Sequence, residues 1–203
     1  MPLSGLGPGR WLALALLCLA ACTAAPASEP FPASERLSPL APADSRIRLD
    51  LPAFHAATAS RQHAHGALLD GRIEVATFTN ADAFAKITLS ERPGSLVLNE
   101  RLFIAGLDAL ARPIGRISWR DDGYVAGPDG VASYRLGRLE DTPLTCAGTA
   151  WQHAADVETA TAPSGFIHVL YCQRDASITP AQLGVLINAL HILPDSSRRD
   201  RTL

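Results

Sequence analysis

Apolar and polar residues alternate through much of the chain, and the alternation divides it into short elements. Ile47, Leu49 and Leu51 alternate with Arg46, Arg48 and Asp50, the period-two signature of a half-buried strand, which Pro52 ends. Arg72 to Thr79 repeats the pattern, setting Ile73, Val75 and Thr77 against Glu74, Ala76 and Phe78. Asn80 to Asp82 reads as a turn, and Ala83, Ala85, Ile87 and Leu89 resume the same period, which predicts a hairpin. Between these strands, Ala53 to Leu69 is alanine-rich and reads as a helix without a clear apolar stripe. Leu96 to Leu98 suggests a short strand, followed by a helix whose face carries Leu102, Ala105, Ala109 and Leu110. Gly106 weakens that helix by about 1 kcal/mol relative to alanine.

The second half is clearer. Ile117 and Trp119 share one face of a strand, and Asp121-Asp122-Gly123 and Pro128-Asp129-Gly130 have turn composition. Strands follow at 131–139, 142–153 and 165–173. Their short polar connections predict an antiparallel meander, since parallel crossovers need longer links. Thr179-Pro180-Ala181-Gln182 has the residues of a helix start: a capping threonine, proline at the first helical position and a glutamine closing the capping box. Leu183, Leu186, Ile187, Leu190 and Leu193 then cover more than one face of a buried C-terminal helix, which Pro194 stops. The expected fold is α+β, an antiparallel sheet packed by that helix.

The N-terminal pattern is different. Arg10 precedes an apolar run from Trp11 to Ala21, which ends Leu19-Ala20-Ala21-Cys22. A positive residue, an apolar core of about ten residues and small residues at a cleavage site make a secretory signal too short to span a bilayer. The Leu-Ala-Ala-Cys ending resembles the lipobox of bacterial lipoproteins. The resemblance implies cleavage before Cys22, a diacylglycerol thioether on that cysteine and acylation of the new amine. The alternative is an ordinary secreted protein cut near Ala25. Residues 23–44 carry Pro26, Pro30, Pro32, Pro39 and Pro42 among alanine and serine, a composition suited to an extended tether. Thr23, rather than aspartate, follows the lipidated position, which in the enteric version of the family points to the outer membrane. The expected organisation is a signal peptide at 1–21, lipidated cysteine and tether at 22–44, one globular domain at 45–194 and a frayed tail at 195–203.

Charge and cysteine usage narrow the classes further. The formal net charge is −2, with both signs mixed along the chain, which argues against a nucleic-acid binder and against electrostatic membrane docking. With Cys18 lost in the signal and Cys22 lipidated, Cys146 and Cys172 remain as an even pair in an oxidising compartment. Their strands form a hairpin if the two cysteines face each other, which sets Ala150 opposite His168 and Gln152 opposite Phe166. The disulfide then closes a loop of about 27 residues, a stabilisation of ~3.5 kcal/mol on the chain-entropy model.

Catalytic motifs are weak. There is no Gly-x-Ser-x-Gly elbow, phosphate-cradling glycine loop or His-Glu-x-x-His helix. His55, His63 and His65 form the one constellation with metal-ligand character, since imidazole binds zinc and copper. Exposed polar histidines are the preferred reading, with metal binding the alternative. His168 alternates with Phe166 and Leu170 and reads as a hydrogen-bonded core histidine. The sequence thus points to a lipid-anchored envelope protein, facing the periplasm from the outer membrane, that binds or assembles with an envelope protein without catalysis. No cofactor and no nucleic acid enter this reading. The alternatives are an envelope hydrolase with a dispersed site and a metal-binding lipoprotein using His55, His63 and His65.

Overall fold

Two runs of alternating residues, one in each half of the chain, meet in a single antiparallel sheet. The computed structural model describes residues 37–66, 71–92, 100–154 and 164–194, without the side chains of 64–66, 92, 154 and 164. All of them belong to one compact unit of the chain. Its strands are β1 (Ser38–Pro39), β2 (Ile47–Leu49), β3 (Thr58–Gly66), β4 (Gly71–Thr79), β5 (Ala83–Arg92), β6 (Ile117–Gly127), β7 (Gly130–Leu139), β8 (Leu144–Ala154), β9 (Ser164–Arg174) and β10 (Leu190–Ile192). Helices α1 (Glu100–Ala111) and α2 (Pro180–Asn188) and a 3-10 turn at Pro52–Phe54 complete the set. The main sheet has the order β1-β3-β4-β5-β9-β8-β7-β6, and β2 pairs with β10 in a separate ribbon. The predicted meander is β6 to β9, and the pairing of β5 with β9 joins it to the first-half strands.

Each sheet face has its own cover. Helix α1 packs on β8 and β9, where Leu107, Leu110 and Ala111 meet Cys146, Ala150 and Leu170. The opposite face carries Ala76, Ile87, Trp151 and Val169 beneath Phe54, Ile47 and the α2 residues Leu183, Leu186 and Ile187. Helix α2 starts as its sequence predicts: Thr179 caps it, Gln182 completes the capping box, and Pro180 occupies the first turn.

The cysteines are bonded to each other and fully buried, in the predicted register with Ala150 opposite His168 and Gln152 opposite Phe166. Their Cα atoms are 4.1 Å apart, closer than the usual ~5.5 Å of disulfides. Directly opposed residues in antiparallel strands approach to about 4.5 Å in one of the two pair types, so the sheet itself sets this spacing.

Several expectations are corrected. Within Ala53 to Leu69, the residues described through Gly66 form no α-helix: a 3-10 turn leads into β3, which pairs with β4 along its whole length. Alanine content misled here, because pairing against a well-formed neighbouring strand overrides local propensity. Asp121-Asp122-Gly123 is not a turn but lies inside β6. Helix α2 ends at Asn188 rather than running to Leu193, and Leu190–Ile192 pairs with β2. Ser38 and Pro39, placed in the tether by the sequence, pair with His63 and Gln62 at the edge of the sheet. Leu96–Leu98, the tail at 195–203, the signal peptide and Cys22 lie outside the described residues. No helix among the described residues is long and apolar enough to cross a membrane.

Candidate functional site

An open cleft forms where three segments converge near the disulfide end of β8 and β9. The first segment is a bulge in β6. Trp119 lies opposite Gly137 and Asp121 opposite Leu136, so Arg120 has no partner of its own and the strand changes face. A β-bulge bends its strand and re-aims the side chains that follow. Gly137 is what allows it: a Cβ there would stand 2.5 Å from the Ser118 carbonyl oxygen and 3.0 Å from the Trp119 Cα. The second segment is the β7–β8 connection, supplying Arg138, Pro143 and Thr145. The third runs from Asp175 to Ile178 between β9 and α2. Asp175 sits at φ 52°, a left-handed conformation that aspartate tolerates better than most residues. Its amide donates to the Pro143 carbonyl at 3.2 Å, tying the second and third segments together.

The cleft holds about 450 Å³ and is open to solvent. Leu136, Ile178 and Pro143 give it apolar surface, and Ile178 is itself anchored in the core. Arg120, Arg138, Asp121 and Asp175 bring charges of both signs to its walls. Among the described residues, none of these four side chains makes an ion pair or a side-chain hydrogen bond. Cys146 and Cys172 directly follow or precede the strand ends that carry Thr145 and Gln173, so the disulfide clamps the platform under two of the three segments. Such a surface suits a ligand with both charges and an apolar portion, such as a peptide segment.

Of the histidines predicted as metal ligands, the described His55 and His63 belong to no metal-holding group. His55 follows the 3-10 turn, is exposed, and contacts Asp50 at 3.0 Å through Nε2. His63 lies five residues into β3, roughly 17 Å from the strand's start at ~3.3 Å per residue. His65 belongs to the same strand, and the register puts positions 63 and 65 on one face, opposite Glu74 and Arg72. The side chain of His65 is not among those described. No three His, Cys, Asp or Glu side chains form a metal-holding group among the described residues.

His168 is a core histidine, as its strand position predicts. It is buried against α1, and burial holds its pKa down at about 4, with the Leu102 backbone hydrogen bond acting the other way. Its ring takes the space above Gly106. The cleft escaped sequence reading because its residues come from three segments, and because Asp121-Asp122-Gly123 resembles a turn. The one sequence signal was Arg120-Asp121-Asp122 interrupting the apolar alternation of β6.

No family model, no curated protein and no solved structure matches this chain.

Proposed function

We propose that the chain is a lipid-anchored protein of the cell envelope, held through Cys22 in the outer membrane facing the periplasm, and that it acts as a binding or assembly module without catalysis of its own. The lipobox-like Leu19-Ala20-Ala21-Cys22 supports the address. The cleft between the β6 bulge, the β7–β8 connection and the β9–α2 segment supports the binding role, and its exposed charges of both signs, in no ion pair among the described residues, are the observation that carries it. A peptide segment of an envelope protein places backbone amides and side-chain charges against Arg120, Arg138, Asp121 and Asp175, with an apolar side chain on Leu136 and Ile178. Charge complementarity of this kind favours partner selection and encounter rate over raw affinity.

Site-specific photo-crosslinking in intact cells tests the reading. A crosslinking residue at Ser177 or Arg138 is expected to capture one discrete protein partner. The same residue at Gln62, exposed on β3 at the far side of the sheet, is expected not to. Equal capture from all three positions, or capture from none, contradicts the role of the cleft.

A further inference from the structure

A second cluster of charges lies on the other half of the sheet, where the β2–β10 ribbon crosses the first strands. Four guanidinium groups gather there with two carboxylates. Glu91 is paired with Arg46. Glu74 receives hydrogen bonds from the Ser45 hydroxyl at 2.5 Å, the Arg46 amide at 3.0 Å and the Ile47 amide at 3.2 Å, and Arg72 stands 3.9 Å away. Both carboxylates are therefore engaged. Among the described residues, Arg48 and Arg61 make no ion pair; Arg48 follows the Ile47 amide that bonds Glu74, and Arg61 lies on the same face of β3 as His63, the residue opposite Glu74.

Arg61 is the more informative of the two. Its guanidinium lies over the Phe78 ring, 5.4 Å from the centroid, and its Nε is buried without a hydrogen-bond partner. Burial lowers its pKa first and the charge of Arg48 second, and Glu74 offsets only part of this. The Arg48 side chain donates to the Ile47 carbonyl at 3.2 Å, a neutral acceptor that leaves its charge uncompensated. His63 lies on the same face of β3 as Arg61, and His191 lies opposite Arg48 on β10. Bringing two cations together on partly buried surface costs free energy unless an anion joins them.

We propose that Arg48 and Arg61 form an oxyanion site, which takes a phosphate group between the ribbon and β3. Planar guanidinium forks match the oxygen geometry of phosphate, and an anion there removes the repulsion between the two cations. The backbone also places this site beside the entry of the chain into the domain, since the Leu40 amide donates to the Arg61 carbonyl at 2.9 Å. Phosphate chemistry reaches such a position from two sources, a free phosphate ester or the headgroup of an anionic lipid. The proposal is independent of the cleft.

Thermal unfolding of the purified chain in inorganic phosphate, against chloride at equal ionic strength and pH, gives the first test. Phosphate is expected to raise the midpoint by roughly 4 °C in the parent protein. Most of that rise should disappear in Arg48→Gln and in Arg61→Gln, whereas Arg116→Gln, an exposed arginine elsewhere, should keep it. Without phosphate, Arg48→Gln is expected to melt no lower than the parent, because it relieves repulsion; its lost response then cannot come from misfolding. Flotation with phosphatidylglycerol and phosphatidylcholine vesicles separates the sources. A response to inorganic phosphate assigns a free phosphate group, and Arg61-dependent binding to phosphatidylglycerol alone assigns a lipid headgroup. The proposal is overturned by a midpoint that ignores phosphate together with no vesicle binding, or by an equal response in the parent and both variants.

Discussion

Replacing Glu74 with alanine is expected to destabilise the domain by about 3–5 kcal/mol, the range for removing one partner of a buried charged network. Glu74 is only 1% exposed, and its carboxylate is the acceptor for the Ser45 hydroxyl and for the amides of Arg46 and Ile47. Those donors begin β2, so a single side chain from β4 fastens the ribbon to the sheet. Its loss leaves buried donors unpartnered, which costs about 1–3 kcal/mol for each group that water cannot reach. It also leaves Arg46 and Arg72 with less opposing charge. Glu74→Gln keeps the shape but turns an N–H group toward other donors, and about half the alanine effect is expected. Urea unfolding followed by tryptophan fluorescence measures both. A loss below about 1 kcal/mol in Glu74→Ala contradicts the role given to this contact.

Gly106→Ala should also destabilise the protein, although alanine is the better helix former by about 1 kcal/mol. A Cβ at position 106 would stand 2.2 Å from Nε2 and 2.3 Å from Cδ2 of His168. His168 is buried on β9 beneath α1, so neither the ring nor the helix yields cheaply. Overpacking of this kind costs about 1–3 kcal/mol, enough to outweigh the helical gain. Truncating His168 to alanine in the same chain should recover part of the loss, and the pair should depart from additivity. The histidine also predicts a pH response. Its folded pKa, about 4, lies below the unfolded value of 6.5, so the unfolded chain binds the extra proton first. This contribution to stability is complete above pH 6.5 and is lost as pH falls from there through about 4. At 1.36 kcal/mol per pH unit the loss is about 3 kcal/mol. In His168→Phe or His168→Leu that part of the slope should vanish; an unchanged slope contradicts the assignment.

These two sites show what the linear pattern reveals and what it hides. The capping residues Thr179 and Gln182 interact over three positions, and the Cys146–Cys172 register follows from two matched strands, so both are legible in sequence. Gly106 is visible as a weak point in a helix, but its reason is His168, 62 positions away in sequence and above it in space. Glu74 reads as the polar side of a strand with one wet face. In the structure the face carrying Glu74, Ala76 and Phe78 is the covered one, and the glutamate is retained inside because the start of β2 supplies its donors. Leu190 and Leu193 match a helical stripe, but Leu190–Ile192 pairs with β2, so a strand forms where periodicity alone extends the helix. The cleft depends on a bulge and on a left-handed aspartate, features of backbone geometry that residue types suggest only weakly.

In the proposed function the address and the binding role are joined at Cys22, because a lipid anchor there would determine which partners the cleft meets. The most direct measurement is metabolic labelling with a palmitate analogue, followed by membrane fractionation, in the parent protein and in Cys22→Ala. The account predicts label and membrane association in the parent, and loss of label from Cys22→Ala. Continued labelling of Cys22→Ala, or an unlabelled parent recovered in the soluble fraction, contradicts it.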